Sequence, residues 1–139
     1  HSAVEFTDGA VIAQMGVPDM KLPIQYALYY PKRLEPLSEP LNLFQVSNLT
    51  FEKPDMDTFK GLKLAYQAGT IGGSMPTVFN AANELAVSKF LKKEISFLDI
   101  IHCIENCMSM HKVIKNPNVE EILEAESEAY DLIYQKYGK

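Results

Sequence analysis

Met75-Pro76-Thr77-Val78-Phe79-Asn80-Ala81-Ala82-Asn83-Glu84-Leu85-Ala86-Val87-Ser88-Lys89-Phe90-Leu91 is the stretch that decides the fold. Pro76 suits the first turn of a helix, where its missing N–H costs nothing. Val78, Phe79, Ala82, Leu85, Ala86 and Phe90 then recur at helical spacing, so a helix reaching about Lys92 buries that face. Working upstream, Gly72-Gly73 makes a loop. Before it, Phe59, Leu62, Ala65 and Tyr66 mark a helix from about Thr58 to Ala68, capped by Asp55 or Asp57 and ended by Gly69. Downstream, Ser96 with Asp99 resembles a capping box that opens a third helix carrying Ile100, Ile101, Ile104 and Met108. Asn116-Pro117-Asn118 breaks the chain. A last helix spans Val119 to Tyr137, with Ile122, Leu123, Ala129, Tyr130, Ile133 and Tyr137 apolar and its acidic residues near the positive end. Four amphipathic helices joined by short loops pack as a small bundle. The fold class expected is mainly α.

The first residues have a different pattern. Ala3 to Phe6 alternate, Asp8-Gly9 supplies turn chemistry, and Ala10 to Met15 resumes with Val11 and Ile12, which is a β-hairpin signal. Two strands alone are marginal in water, so this hairpin needs a larger sheet. Pro18, Pro23, Pro31, Pro36 and Pro40 then limit regular structure to a short helix, of about two turns from Ile24 to Tyr30.

Composition narrows the function classes. The chain has 139 residues, 47% of them apolar, with 13 basic and 18 acidic side chains and a net charge of −5. Arg33 is its one arginine. That balance argues against nucleic acid, whose phosphates call for basic patches rich in Arg. No apolar run reaches the roughly 18 residues that cross a bilayer, so no membrane partner is expected. Two cysteines form no disulfide framework, and a cytoplasmic setting is the simple expectation.

Several clusters invite a chemical reading, and each has a plainer one. Cys103, Cys107 and His111 share a helix face, but a straight helix cannot wrap three ligands around one zinc ion, so two buried thiols and a helix-end histidine are expected. Glu120, Glu121, Glu124, Glu126 and Glu128 read as a solvated face rather than an acid–base pair. Gly69, Gly72 and Gly73 precede a helix without the Lys-Ser or Lys-Thr step of a phosphate loop. Asn80 and Asn83 weaken an otherwise good helix, so side-chain hydrogen bonds to neighbouring loops are expected to offset the loss. Pro18 beside Met20 suggests an apolar lid over something flat, and His1 offers an imidazole that titrates near neutrality. None of these makes a complete catalytic constellation.

Five stretches occur together in order: His1-Ser2-Ala3-Val4-Glu5-Phe6-Thr7-Asp8-Gly9, Gly16-Val17-Pro18-Asp19-Met20 with Pro23-Ile24, Leu49-Thr50-Phe51 with Lys53-Pro54, Leu62-Lys63-Leu64-Ala65, and Asn80-Ala81-Ala82-Asn83-Glu84. In this order and spacing they resemble the C-terminal region of the 1-deoxy-D-xylulose 5-phosphate reductoisomerase family. The resemblance implies an enzyme that isomerises its substrate and reduces the intermediate with NADPH to 2-C-methyl-D-erythritol 4-phosphate, in non-mevalonate isoprenoid synthesis. It implies Mg or Mn held in a central domain, an N-terminal Rossmann-type domain for NADPH, a C-terminal helical bundle and homodimerisation.

The glycine-rich dinucleotide loop, the metal carboxylates and the phosphate-binding set of the family fall upstream of the position matching His1. The expectation is therefore a C-terminal fragment, inactive alone, whose partners are the missing N-terminal and central domains, with NADPH and the metal bound elsewhere in the parent. The expected parts are residues 1–17 as remnant strands of the catalytic domain, 18–43 as a connector with one short helix, and 44–139 as the bundle. By resemblance, His1, Pro18 and Met20 stand at the active-site margin, with Pro18 and Met20 on the nicotinamide side. The alternative is a free-standing helical module that binds protein partners; a parent reading frame extending far upstream distinguishes the two.

Overall fold

A computed structural model describes residues 1–138. Two strands, β1 (Ser2–Glu5) and β2 (Val11–Gln14), precede six helices: α1 (Lys21–Tyr29), α2 (Leu43–Val46), α3 (Lys60–Ile71), α4 (Met75–Leu91), α5 (Phe97–Met110) and α6 (Val119–Tyr137). The chain divides into two compact units, His1–Glu52 and Lys53–Lys139. The mainly helical class with a small antiparallel sheet is as the sequence pattern indicates.

In the first unit β1 and β2 pair antiparallel with Ser2 opposite Gln14 and Glu5 opposite Val11. The turn works through Gly9, whose φ of +86° an L side chain resists, while Asp8 Oδ1 accepts the Ala10 amide at 2.9 Å. α1 begins earlier than the sequence pattern places it, because Asp19 Oδ1 accepts the Lys21 amide at 2.9 Å and Pro23 is tolerated in the first turn. α2 was not anticipated. It is a single turn held by Asn42, whose side chain accepts the Phe44 amide at 3.0 Å. No residue of this unit is buried: both faces of the hairpin are exposed, including Val4, Val11 and Ile12.

The second unit has a core. α4 lies at its centre and packs against α3, α5 and α6. Val78, Ala81, Ala82 and Ala86 of α4 meet Ile100, Cys103, Ile104 and Cys107 of α5, with Ala125, Ala129 and Ile133 of α6 and Leu64 of α3 completing the cluster. The small alanines let the backbones approach, and the larger Phe79, Leu85 and Phe90 flank this centre half-buried rather than filling it. Asp55 Oδ1 accepts the Asp57 and Thr58 amides at 3.1 and 2.9 Å, so it caps the turn leading to α3. α3 runs through Gly69 and stops at Gly72, where φ of +68° takes the left-handed exit. Asp99 Oδ2 accepts the Ser96 amide at 2.9 Å and its hydroxyl at 2.6 Å, the expected start of α5. At α6, Asn118 Oδ1 accepts the Glu121 amide at 2.9 Å and Glu121 Oε2 accepts the Asn118 amide at 2.8 Å.

Candidate functional site

The three residues named for an active-site margin lie on one cavity. His1, Pro18 and Met20 line a space of about 610 Å³ within the first unit, together with Gln14, Tyr26 and Arg33. The hairpin brings His1 beside the segment that follows β2, and the Gly16 amide donates to His1 Nδ1 at 3.3 Å. Gly16 sits close to its neighbours, since a Cβ there would stand 3.3 Å from both Gln14 Nε2 and Leu22 Cδ2. The Asp19 amide donates to the Val17 carbonyl at 2.8 Å, so a tight turn presents Pro18 and leaves Met20 68% exposed at its edge. Asp19 is held below the usual carboxylate range, first by the Lys21 amide that donates to it and then by the Lys21 ammonium at 3.3 Å.

Sequence reasoning missed the cationic element of this cavity. The Arg33 guanidinium lies 3.6 Å from the centroid of the Tyr26 ring, and Tyr26 in turn meets Tyr30 edge-on at 5.6 Å between centroids. The one arginine among 13 basic residues was the available signal.

The second unit's clusters do not converge on a site. Cys103 and Cys107 are buried, and the Cys107 thiol donates to the Ala129 carbonyl at 3.6 Å. Burial, with Cys103 beside it, pushes the Cys107 thiol up to about 11, so it stays protonated and unreactive at neutral pH. His111 turns to Ser74, with Nε2 at 2.7 Å from the hydroxyl oxygen. Among the described residues no three His, Cys, Asp or Glu side chains are placed to hold a metal ion. In the acidic run, Glu121 serves the α6 cap and Glu126 accepts the Tyr130 hydroxyl at 3.1 Å. Asn80 is exposed and Asn83 half-buried, and neither side chain makes a hydrogen bond among the described residues, contrary to the bracing role expected of them.

These features define a mainly α chain: a four-helix bundle preceded by a hairpin unit whose cavity combines an imidazole, a stacked guanidinium and apolar walls. The chain belongs to the DXP reductoisomerase C-terminal domain family, whose sequence profile matches residues 15–132. It is 58% identical over 137 residues to the 1-deoxy-D-xylulose 5-phosphate reductoisomerase of Agathobacter rectalis, a match covering 99% of this chain and 36% of that protein. The enzyme of Lachnoclostridium phytofermentans is 58% identical over 140 residues, covering 100% of this chain and again 36% of the relative. The chain thus spans about a third of the length of the curated relatives it matches. Among solved structures, the reductoisomerase of Zymomonas mobilis in complex with NADPH superposes with a TM-score of 0.86 at 37% identity, covering 100% of this chain and 37% of that one. A reductoisomerase in complex with magnesium superposes with a TM-score of 0.84 at 36% identity, covering 99% and 36%. No helix among the described residues is long and apolar enough to cross a membrane.

Proposed function

We propose that this chain is the C-terminal part of an NADPH-dependent 1-deoxy-D-xylulose 5-phosphate reductoisomerase, acting in the cytoplasm as a homodimer. In this reading residues 1–17 complete the sheet of the catalytic domain, 18–43 connect, and 44–139 form a buttressing bundle. His1, Pro18 and Met20 stand at the margin of the active site, with Pro18 and Met20 walling the nicotinamide side. The observation that carries the reading is a hairpin unit with no buried residue, bearing a cavity lined by the residues the resemblance singles out. Such a unit gains stability only by packing against further chain.

The residues present do not fit a divalent cation, since no trio of suitable side chains converges among those described. No glycine-rich dinucleotide fingerprint occurs in the sequence either. In this reading the metal and the bulk of NADPH are bound by the rest of the parent, and the isolated chain is expected to be inactive.

A chimera tests this. This chain replaces the C-terminal third of the Zymomonas mobilis enzyme, and NADPH oxidation with deoxyxylulose phosphate is followed. The chimera is expected to turn over and the isolated chain to be silent. Turnover by the chain alone, or a folded chimera without activity, contradicts the reading.

A further inference from the structure

We infer that His111 is a proton-dependent clasp of the bundle: uncharged, its ring holds the Ser74 hydroxyl at the entry of α4, and protonated, it releases that hydroxyl and pairs with Glu128 of α6. The residue follows the last turn of α5, and its side chain is 6% exposed. Nε2 lies 2.7 Å from Ser74 Oγ, and Nδ1 lies 3.9 Å from Glu128 Oε2. One imidazole thus stands between three helices.

Counting hydrogens at Ser74 assigns the uncharged state. Its oxygen accepts the Ile114 amide at 2.9 Å, and its other partner among the described residues is His111 Nε2. Ser74 has no exposed surface, so water cannot take the hydroxyl proton. Were Nε2 also a donor, that proton would be stranded; an Nε2 that accepts satisfies the group. The ring hydrogen then sits on Nδ1, on the side of Glu128. Ser74 is too deeply buried to serve as a nucleophile, so this order of Ser, His and Glu works on the fold rather than on a substrate.

Protonation puts hydrogen on both ring nitrogens, and the Ser74 hydroxyl loses its acceptor. The new charge finds Glu128 at ion-pairing distance, where 3.9 Å is too long for a hydrogen bond to the neutral ring. Glu121 and Glu124 of α6 line the same cavity of about 310 Å³ and also favour the cation, as do the carbonyls ending α5. Lys112, in the connection to α6, lines it too and opposes the cation, while α4 presents only the uncharged Ser74. The clasp therefore trades a tie between α4 and the α5–α6 connection for a tie between that connection and α6.

Nuclear magnetic resonance on the full ¹⁵N-labelled chain tests this, since it has three histidines. The ring patterns and the amides of Ser74 and Ile114 are followed from about pH 8 to about pH 5.5, across the range where imidazoles titrate. At the high end His111 is expected to carry its hydrogen on Nδ1. As the ring gains its proton, the Ser74 and Ile114 amide signals should move with the same midpoint. Exchange of the Ile114 amide should rise roughly tenfold beyond the intrinsic pH effect, as the loss of one hydrogen bond implies. Glu128→Gln, at a side chain 63% exposed, should keep the high-pH signals and move the midpoint to lower pH. His111→Gln should leave the two amides without a transition. A ring hydrogen on Nε2 at high pH, amides that ignore the His111 midpoint, or a midpoint unmoved by Glu128→Gln overturns the inference. These readouts need no turnover, so they stand apart from the chimera experiment.

Discussion

Ser74 has no solvent-exposed surface, yet it is a polar residue in what the sequence marks only as a glycine loop. Its amide donates to the Ile114 carbonyl at 3.0 Å and its oxygen accepts the Ile114 amide at 2.9 Å. The same hydroxyl also hydrogen-bonds His111 Nε2 at 2.7 Å. One side chain thereby ties the entry of α4 to the connection between α5 and α6. Ser74→Ala removes the last two bonds and leaves partners unsatisfied, so urea unfolding should show a loss of about 1–3 kcal/mol. Gly73 next to it allows the approach: its φ is +58°, and a Cβ there would lie 2.2 Å from the Ile114 oxygen. Gly73→Ala should cost at least ~1–2 kcal/mol from the backbone conformation alone, with the overlap added, and a thermal melt reads the drop. None of this was legible in the sequence. Ser74 and Ile114 are forty positions apart, and only tertiary packing tells a buried serine from a loop serine.

Helices were the most legible elements, because their signals are local. The period of apolar residues gave α4, α5 and α6, and the spacing of Ser96 and Asp99 gave the start of α5. Contacts that reach between elements carry no such local signal. Lys89 of α4 is buried, its ammonium 2.8 Å from Glu94 Oε2 and 5.5 Å from the Tyr134 ring centroid. The hydrogen bond from Lys89 holds the Glu94 carboxyl below its ordinary value, against the smaller cost of desolvation. A carboxylate whose folded pKa is depressed contributes its full stabilisation above the unfolded value of 4.5 and loses it as pH falls through the lower folded value. Unfolding midpoints measured across that acidic range should therefore fall in the native chain and fall less in Glu94→Gln. Above that range Glu94→Gln should be the less stable of the two, since it leaves Lys89 buried beside a neutral partner. At α6 the reciprocal cap of Asn118 and Glu121 supports the first turn, and Asn118→Ala should cost about 0.5–2 kcal/mol in the same assay.

The whole molecule is asymmetric in a way that its composition conceals. From Lys53 onward the helices share one core of small and branched side chains. From His1 to Glu52 nothing is buried, although Val4, Phe6, Val11, Ile12, Leu28, Tyr30 and Phe44 are apolar and exposed. The hairpin, its Asp8-Gly9 turn and the shortage of strands to pair with it were readable from alternation and turn chemistry. The cavity was readable only as three residues of a resemblance, because the Arg33–Tyr26 stack depends on how the segment after α1 folds back. Burying too little apolar surface to offset its chain entropy, the hairpin unit opens at low cost in isolation. Completed by the catalytic part of a reductoisomerase, it should become as rigid as the bundle. Native-state hydrogen exchange on the chain alone and on the chimera tests this most directly. The account predicts amides of β1 and β2 that exchange nearly unprotected in the chain alone, amides of α4 and α5 that are strongly protected, and hairpin protection gained in the chimera. Hairpin amides as protected as those of α4 in the isolated chain would contradict it.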